Sequence, residues 1–140
     1  MKQDISFDPV EGVSIAIVPD NAAGAAEGDV TTWTVYLLNS NDTPLENVLI
    51  AADGYGTQPS GEAVRTSTLR YHFEQVGPQS ATPVELIDPA VFHLTNQYWV
   101  SYYQGGRIFD KKFLFVPDSL VPANLSPLAL LDGRAGVLHG

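Results

Sequence analysis

Apolar and polar positions alternate along most of this chain. In GVSIAIVP (12–19), Val13, Ile15 and Ile17 fall on one side and Ser14 and Ala16 on the other. In TTWTVYLLN (31–39), Trp33, Val35 and Leu37 oppose Thr32, Thr34 and Tyr36. In STLRYHFEQV (67–76), Leu69, Tyr71 and Phe73 oppose Arg70, His72 and Glu74. A period of two marks a strand with one buried face. ENVLIAA (46–52) reads as a returning strand and VELI (84–87) as a short one. Between them lie clusters of turn residues: NAAGAAEGD (21–29), SNDTPL (40–45), GPQSATP (77–83), and the long DGYGTQPSGEAVR (53–65), expected to be a loop. DPAVFHLTNQ (88–97) reads as a loop or a single helical turn. About seven strands at fairly regular spacing predict an all-β chain, an immunoglobulin-like antiparallel β-sandwich, with a small β-barrel as the alternative.

The stretch YWVSYYQGGRIFDKKFLFV (98–116) predicts a hairpin and its register. Gly105-Gly106 supplies the positive φ of a two-residue turn, which sets Gln104 opposite Arg107. Tyr102 then opposes Phe109, Val100 opposes Lys111, and Tyr98 opposes Phe113 on one face. On the other face Tyr103 opposes Ile108, Ser101 opposes Asp110, and Trp99 opposes Lys112. The first face is more apolar and is assigned to the core, with Phe115 continuing it. The second carries Trp99, Tyr103, Ile108 and Lys112, with the Lys112 ammonium able to lie over the Trp99 ring. Two readings of that face stay open: the C-terminal tail covers it, or it is a contact for a protein partner or a second copy.

The sequence divides into a sandwich domain, 1–117, and a tail, 118–140. In the tail, Ser126-Pro127 ahead of LALLD and Gly133 matches an N-cap, a first-turn proline and a C-terminal glycine, so a short helical turn is predicted. Leu125, Leu128 and Leu131 would share its face. The tail packs on its own sandwich or on a partner, and Leu128 and Leu131 are a second candidate interaction surface.

Composition narrows the function. Sixteen acidic and seven basic residues give a net charge of −9. Nucleic-acid binding needs a basic stripe that displaces counterions, and the only adjacent basic pair, Lys111-Lys112, has Asp110 beside it. Nucleic acid and anionic membrane are therefore not expected as partners. The absence of cysteine excludes disulfides, thiolate metal sites and cysteine nucleophiles. MKQDISFDPVEG (1–12) has no apolar stretch and does not read as a signal peptide, and no apolar run approaches the ~20 residues of a membrane-spanning helix. A cytoplasmic location is expected.

Catalytic and metal chemistry finds little to work with. There is no Gly-x-Ser-x-Gly elbow. His72 sits among outward strand positions, His139 is near the end, and His93 lies between apolar neighbours as a core-edge histidine. Asp20, Glu27 and Asp29, with Asn39, Asn41 and Asp42, could offer oxygens to calcium but are also ordinary turn residues. Gly54-Tyr55-Gly56 lacks the following helix of a phosphate loop. No cofactor, metal or catalytic residue is assigned, and the chain is not expected to be an enzyme.

The order SIAIVP, WTVYLLNSND, STLRYHFEQVGP, VFHLTNQYWVSYY and FDKKFLFVPDSLV resembles small bacterial immunoglobulin-like domains of the Smr-associated type, over most of residues 12–121. That resemblance implies a sandwich, and it carries over no nuclease role, since no Smr nuclease domain is present here. FDKKFLFVPDSLV also resembles short bacterial proteins labelled as phenylalanyl-tRNA synthetase subunits. The chain is too short for that catalytic core and has neither an ATP-binding motif nor a basic tRNA-binding surface. The expected function is protein binding or self-association. The alternative is a small-molecule or carbohydrate binding module using the 53–65 loop and the Trp99/Tyr103 face.

Overall fold

The computed structural model describes residues 10–20, 32–57 and 60–139. Within them the chain forms, in order, β1 (Val13–Pro19), β2 (Trp33–Asn39), β3 (Leu45–Thr57), β4 (Ala63–Arg65), β5 (Leu69–Val76), β6 (Ser80–Ile87), β7 (Thr95–Gln104), β8 (Arg107–Phe115), β9 (Ser126–Leu128) and β10 (Arg134–His139). Short 3-10 turns stand at Pro89–Val91, Pro122–Asn124 and Ala129–Leu131. The strands make two antiparallel sheets rather than a closed barrel. The first runs β6-β2-β1-β10-β9; the second runs β4-β3-β7-β8, with β5 sharing the β4 side of β3.

The order β6-β2-β1 against β5-β3-β7-β8 is that of an immunoglobulin-like sandwich whose extra strand stays with the second sheet. β10 and β9 extend the first sheet beyond β1. The core lies between the sheets. Val13, Ile15, Ile17, Trp33, Val35 and Leu37 enter it from β1 and β2, and meet Val48, Ile50, Tyr98, Val100, Tyr102, Phe113 and Phe115 from the second sheet. Each such side chain contributes roughly 1.5–3 kcal/mol by leaving water. The alternation therefore sorts these strands as expected.

Three expectations need correction. The 53–65 segment is not a long loop. β3 runs through Asp53 to Thr57, and β4 returns beside it with Gly56 opposite Val64. Two of its glycines permit close approach rather than a turn: a Cβ on Gly54 would meet Asn96 Oδ1 at 3.1 Å, and one on Gly56 would meet Leu94 Cδ2 at 3.1 Å. β6 also begins earlier than VELI, taking up Ser80–Pro83 of the GPQSATP cluster, with a register shift opposite Val35 and Tyr36.

The third correction concerns the tail. The helical turn forms at Ala129–Leu131, ahead of Gly133, but Ser126 and Pro127 do not open it: they lie in β9, paired with Gly136 and Ala135 of β10. Cross-strand pairing overrides the local capping signal. Leu125, Leu128 and Leu131 do not share one partner surface either. Leu125 packs on the main core, while Leu128, with Leu130 and Leu131, covers Ala16, Val18 and Leu38 on the outer side of the first sheet. Gly136 allows this closure: a Cβ there would stand 2.8 Å from both Leu128 Cδ1 and Val18 Cγ2 and 3.2 Å from the Ile17 carbonyl oxygen. The described part of the tail, 118–139, packs in cis.

Candidate interaction face of the second sheet

The β7–β8 hairpin has the register its sequence predicts, from Gln104 opposite Arg107 through Trp99 opposite Lys112 to Tyr98 opposite Phe113. Gly105 and Gly106 take φ of 59° and 79°, as the turn requires. The register decides the faces. Tyr98, Val100, Tyr102 and Phe113 are buried, whereas Trp99, Tyr103 and Ile108 remain 48%, 44% and 41% exposed. Leu49 on β3 and Leu114 on β8 extend the same outer face and are also exposed. The tail does not cover it, since it closes on the opposite sheet. The two outer faces thus differ: the chain's own leucines cover Ala16, Val18 and Leu38 on the first, leaving Leu86 and Leu138 exposed, whereas the aromatic row of the second is open among the described residues.

Trp99 is held in one orientation. Its indole N–H donates to Asp110 Oδ1, and the Ser101 hydroxyl donates to the same oxygen at 2.8 Å. The Lys112 ammonium lies 4.9 Å from the ring centroid, the contact expected from the sequence, worth about 0.5–1 kcal/mol at an exposed site. An aromatic fixed in this way loses little conformational entropy when it meets a partner.

On the β3 side of Trp99 the sheet dips. Ala51 stands between Trp99 on β7 and Arg70 on β5, so a methyl group separates an indole from a guanidinium. Leu49, Ile50, Tyr71 and Ser101 complete a depression of about 250 Å³. Arg70 makes no ion pair or hydrogen bond among the described residues. Five of the seven lysines and arginines, Arg65, Arg70, Arg107, Lys111 and Lys112, belong to strands of this sheet. In a chain of net charge −9, this sheet carries most of the positive charge.

Set against family models, curated proteins and solved structures, the chain finds no match.

A larger cleft of about 330 Å³ opens where the edges of the two sheets approach, lined by Asp53, Glu85, Asp88, Asn96, Leu69 and Ile87 among others. Its polar groups are already engaged. Glu85 accepts from Tyr71 at 2.6 Å and from Tyr98 at 2.9 Å. Asp53 accepts from Arg65, Thr68 and Gln97, Asp88 caps a 3-10 turn through the Ala90 N–H, and Asn96 donates to the Val91 and Leu94 carbonyls. The Tyr71 phenol is pushed up to about 12, first by burial and then by the Glu85 carboxylate; the Tyr98 phenol is raised further by the same causes. This cleft is a braced seam between the sheets.

The remaining sequence candidates separate. Within the tail, Leu128 is buried and Leu131 half-buried against the outer side of the first sheet. His93 is exposed rather than at the core edge, because its loop turns it outward between the Pro89–Val91 turn and β7. His139 instead packs edge-on against Phe113 and Phe115, with its Nδ1 buried and unpartnered among the described residues. Burial, then the nearby Lys111 charge, lowers its pKa.

Asp20 accepts from Thr32 and Thr34 and pairs with Arg134 at 3.7 Å. Asn39 spends its amide on the Thr43 and Gly77 carbonyls. Glu27 and Asp29 lie outside the described residues. Among those described, no three His, Asp or Glu side chains converge as metal ligands, and no helix is long and apolar enough to cross a membrane. The sequence missed Leu49, Ala51 and Arg70 as members of one site. Arg70 was visible as an outward residue of its strand, but nothing local places it beside Trp99.

Proposed function

We propose that this chain is a non-catalytic, cytoplasmic protein-binding β-sandwich that docks through the outer face of β3, β7 and β8. One observation carries the reading: the tail covers the middle of the first sheet's outer face and leaves only the separate Leu86 and Leu138 exposed there, while the second sheet presents Leu49, Trp99, Tyr103, Ile108 and Leu114 on one face. Contiguous exposed aromatic and aliphatic side chains are the usual anchors of an interface, and polar groups at the rim add specificity. Trp99 is the central anchor, and Tyr103, Ile108 and Lys112 flank it.

The carbohydrate alternative has less support. It relied on a mobile 53–65 loop beside the aromatics, and that segment is largely strand. Tyr55 lies four positions from Ala51 along β3, about 13 Å from the Trp99 row.

A photo-crosslinking residue placed at Ile108 tests the reading, with the same residue at Leu138, on the outer side of the first sheet, as the control. Adducts that form from position 108, are absent from position 138 and vanish with Trp99→Ala support it. Equal adducts from both positions, or adducts indifferent to Trp99, refute it. Light scattering after size exclusion separates a second copy from another protein: a dimer that becomes a folded monomer with Trp99→Ala and Tyr103→Ala places the face between copies.

A further inference from the structure

The inference deepens the proposed interface and rests on it: it concerns what enters the depression beside Trp99. Leu49, the Ala51 methyl and the Trp99 ring give the depression much of its lining, with Ser101 and Tyr71 beside them. Its charged lining group is the Arg70 guanidinium, which has no anion among the described residues. Two carboxylates of strands β3 and β8 on this side are committed elsewhere. Asp110 holds the Trp99 indole and the Ser101 hydroxyl, and Asp53 accepts from Arg65, Thr68 and Gln97. A second cation, Lys112, stands on the far side of the same indole. The row Arg70–Ala51–Trp99–Lys112 is therefore cation, gap, aromatic, cation, straight across the sheet.

We infer that this row receives an acidic segment of a partner protein, with one aliphatic or phenyl side chain seated over Ala51 and carboxylates beside it meeting Arg70 and Lys112. The chemistry follows from complementarity. A guanidinium offers a planar fork that matches a carboxylate, and the apolar floor gives no hydrogen bond to a polar anchor. The net charge of −9 does not oppose this at close range, because exposed charges more than about 8 Å away are largely screened at physiological ionic strength. A basic segment would instead bring its cations against Arg70 and Lys112.

The test is an NMR titration of the isotope-labelled full chain. The probes are the capped peptide Ser-Asp-Leu-Asp-Phe-Asp-Ser and its counterpart with lysine at each aspartate. A third arm uses 3-phenylpropionate. The expected result is movement of the Trp99 indole resonance and of the Leu49 and Ala51 amides, with the acidic peptide at least about threefold tighter than the basic one, as exposed ion pairs allow. Arg70→Gln should erase that preference, while Arg65→Gln, on the same sheet but paired with Asp53, should keep it. Ala51→Leu fills the depression without removing a polar group and should abolish binding in a folded protein.

The inference is overturned if the basic peptide binds as well, or if the shifts map outside the Arg70–Lys112 row. It is equally overturned if 3-phenylpropionate binds more tightly than the peptide, which would make this a small-acid pocket. Trp99-dependent crosslinking from position 108 without any acidic preference would leave the interface standing and remove only this inference.

Discussion

Two tyrosines on the inner face of β7 should respond with opposite signs to the loss of one oxygen atom. Tyr98 and Tyr102 are 2% and 1% exposed. The Tyr98 hydroxyl donates to Glu85 Oε2 at 2.9 Å; the Tyr102 hydroxyl is buried with no partner among the described residues. Phenylalanine preserves the ring at each site, including the stacking of Tyr102 on Phe109 at 5.2 Å. Tyr98→Phe removes a hydrogen bond to a charged group, worth about 1.5–3 kcal/mol. Glu85 keeps its bond from Tyr71, so the lower part of that range, about 1.5–2 kcal/mol, is expected. Tyr102→Phe removes an unsatisfied buried hydroxyl and should stabilise by about 1 kcal/mol. Urea unfolding followed by tryptophan fluorescence measures both, with unchanged m-values showing that the stability itself has moved. In thermal unfolding each kcal/mol is about 3 °C at this size. An alkaline arm adds a sign check. Burial pushes the Tyr102 phenol from 10.0 up to about 12, so the unfolded chain loses that proton first and stability falls between those pH values. Tyr102→Phe should flatten part of that fall. Destabilisation by both substitutions would refute the account, since Tyr102 would then have a partner for its hydroxyl.

Other expectations are shorter to state. Gly136→Ala should cost about 1–3 kcal/mol by forcing Leu128 and Val18 apart, and limited proteolysis should then cut the 118–133 segment before the rest. Asp110→Ala should leave stability within about 1 kcal/mol but broaden the Trp99 indole resonance, because the group that fixes the ring is gone; an unchanged resonance would remove the case for a preordered anchor. The depressed His139 pKa means that the unfolded chain takes up a proton below its ordinary value of 6.5 before the folded one does. Stability should therefore decline as pH falls from about 6.5, and His139→Phe should reduce that decline.

The hairpin was legible to the residue because Gly105-Gly106 fixes its tip, and a period of two then assigns every side chain to a face. The same logic placed Trp33, Val35 and Leu37 in the core. It failed where a local signal has two physical causes. Gly54 and Gly56 read as part of a loop, yet they serve the close approach of Leu94 and Asn96, which come from some 40 positions away. Ser126-Pro127 read as a helix start, yet β10 offers it a ladder. The depression was not legible at all. Ala51 becomes a gap only through its neighbours Arg70 and Trp99, and those pairings are set by two strand registers that no single segment encodes.

The pairing of β10 with β1 also has a kinetic meaning. Ile17 meets Val137, a contact that spans 120 positions. Contacts so distant in sequence form slowly, because the loop they close must be ordered before it is rewarded. During synthesis β2 can pair with β1 early, but the other edge of β1, with Ile15 and Ile17 on it, stays unpaired until Arg134–His139 has left the ribosome. An apolar strand edge held open for that long invites pairing with another chain. The arrival of β10 thus closes a window in which this chain is open to aggregation.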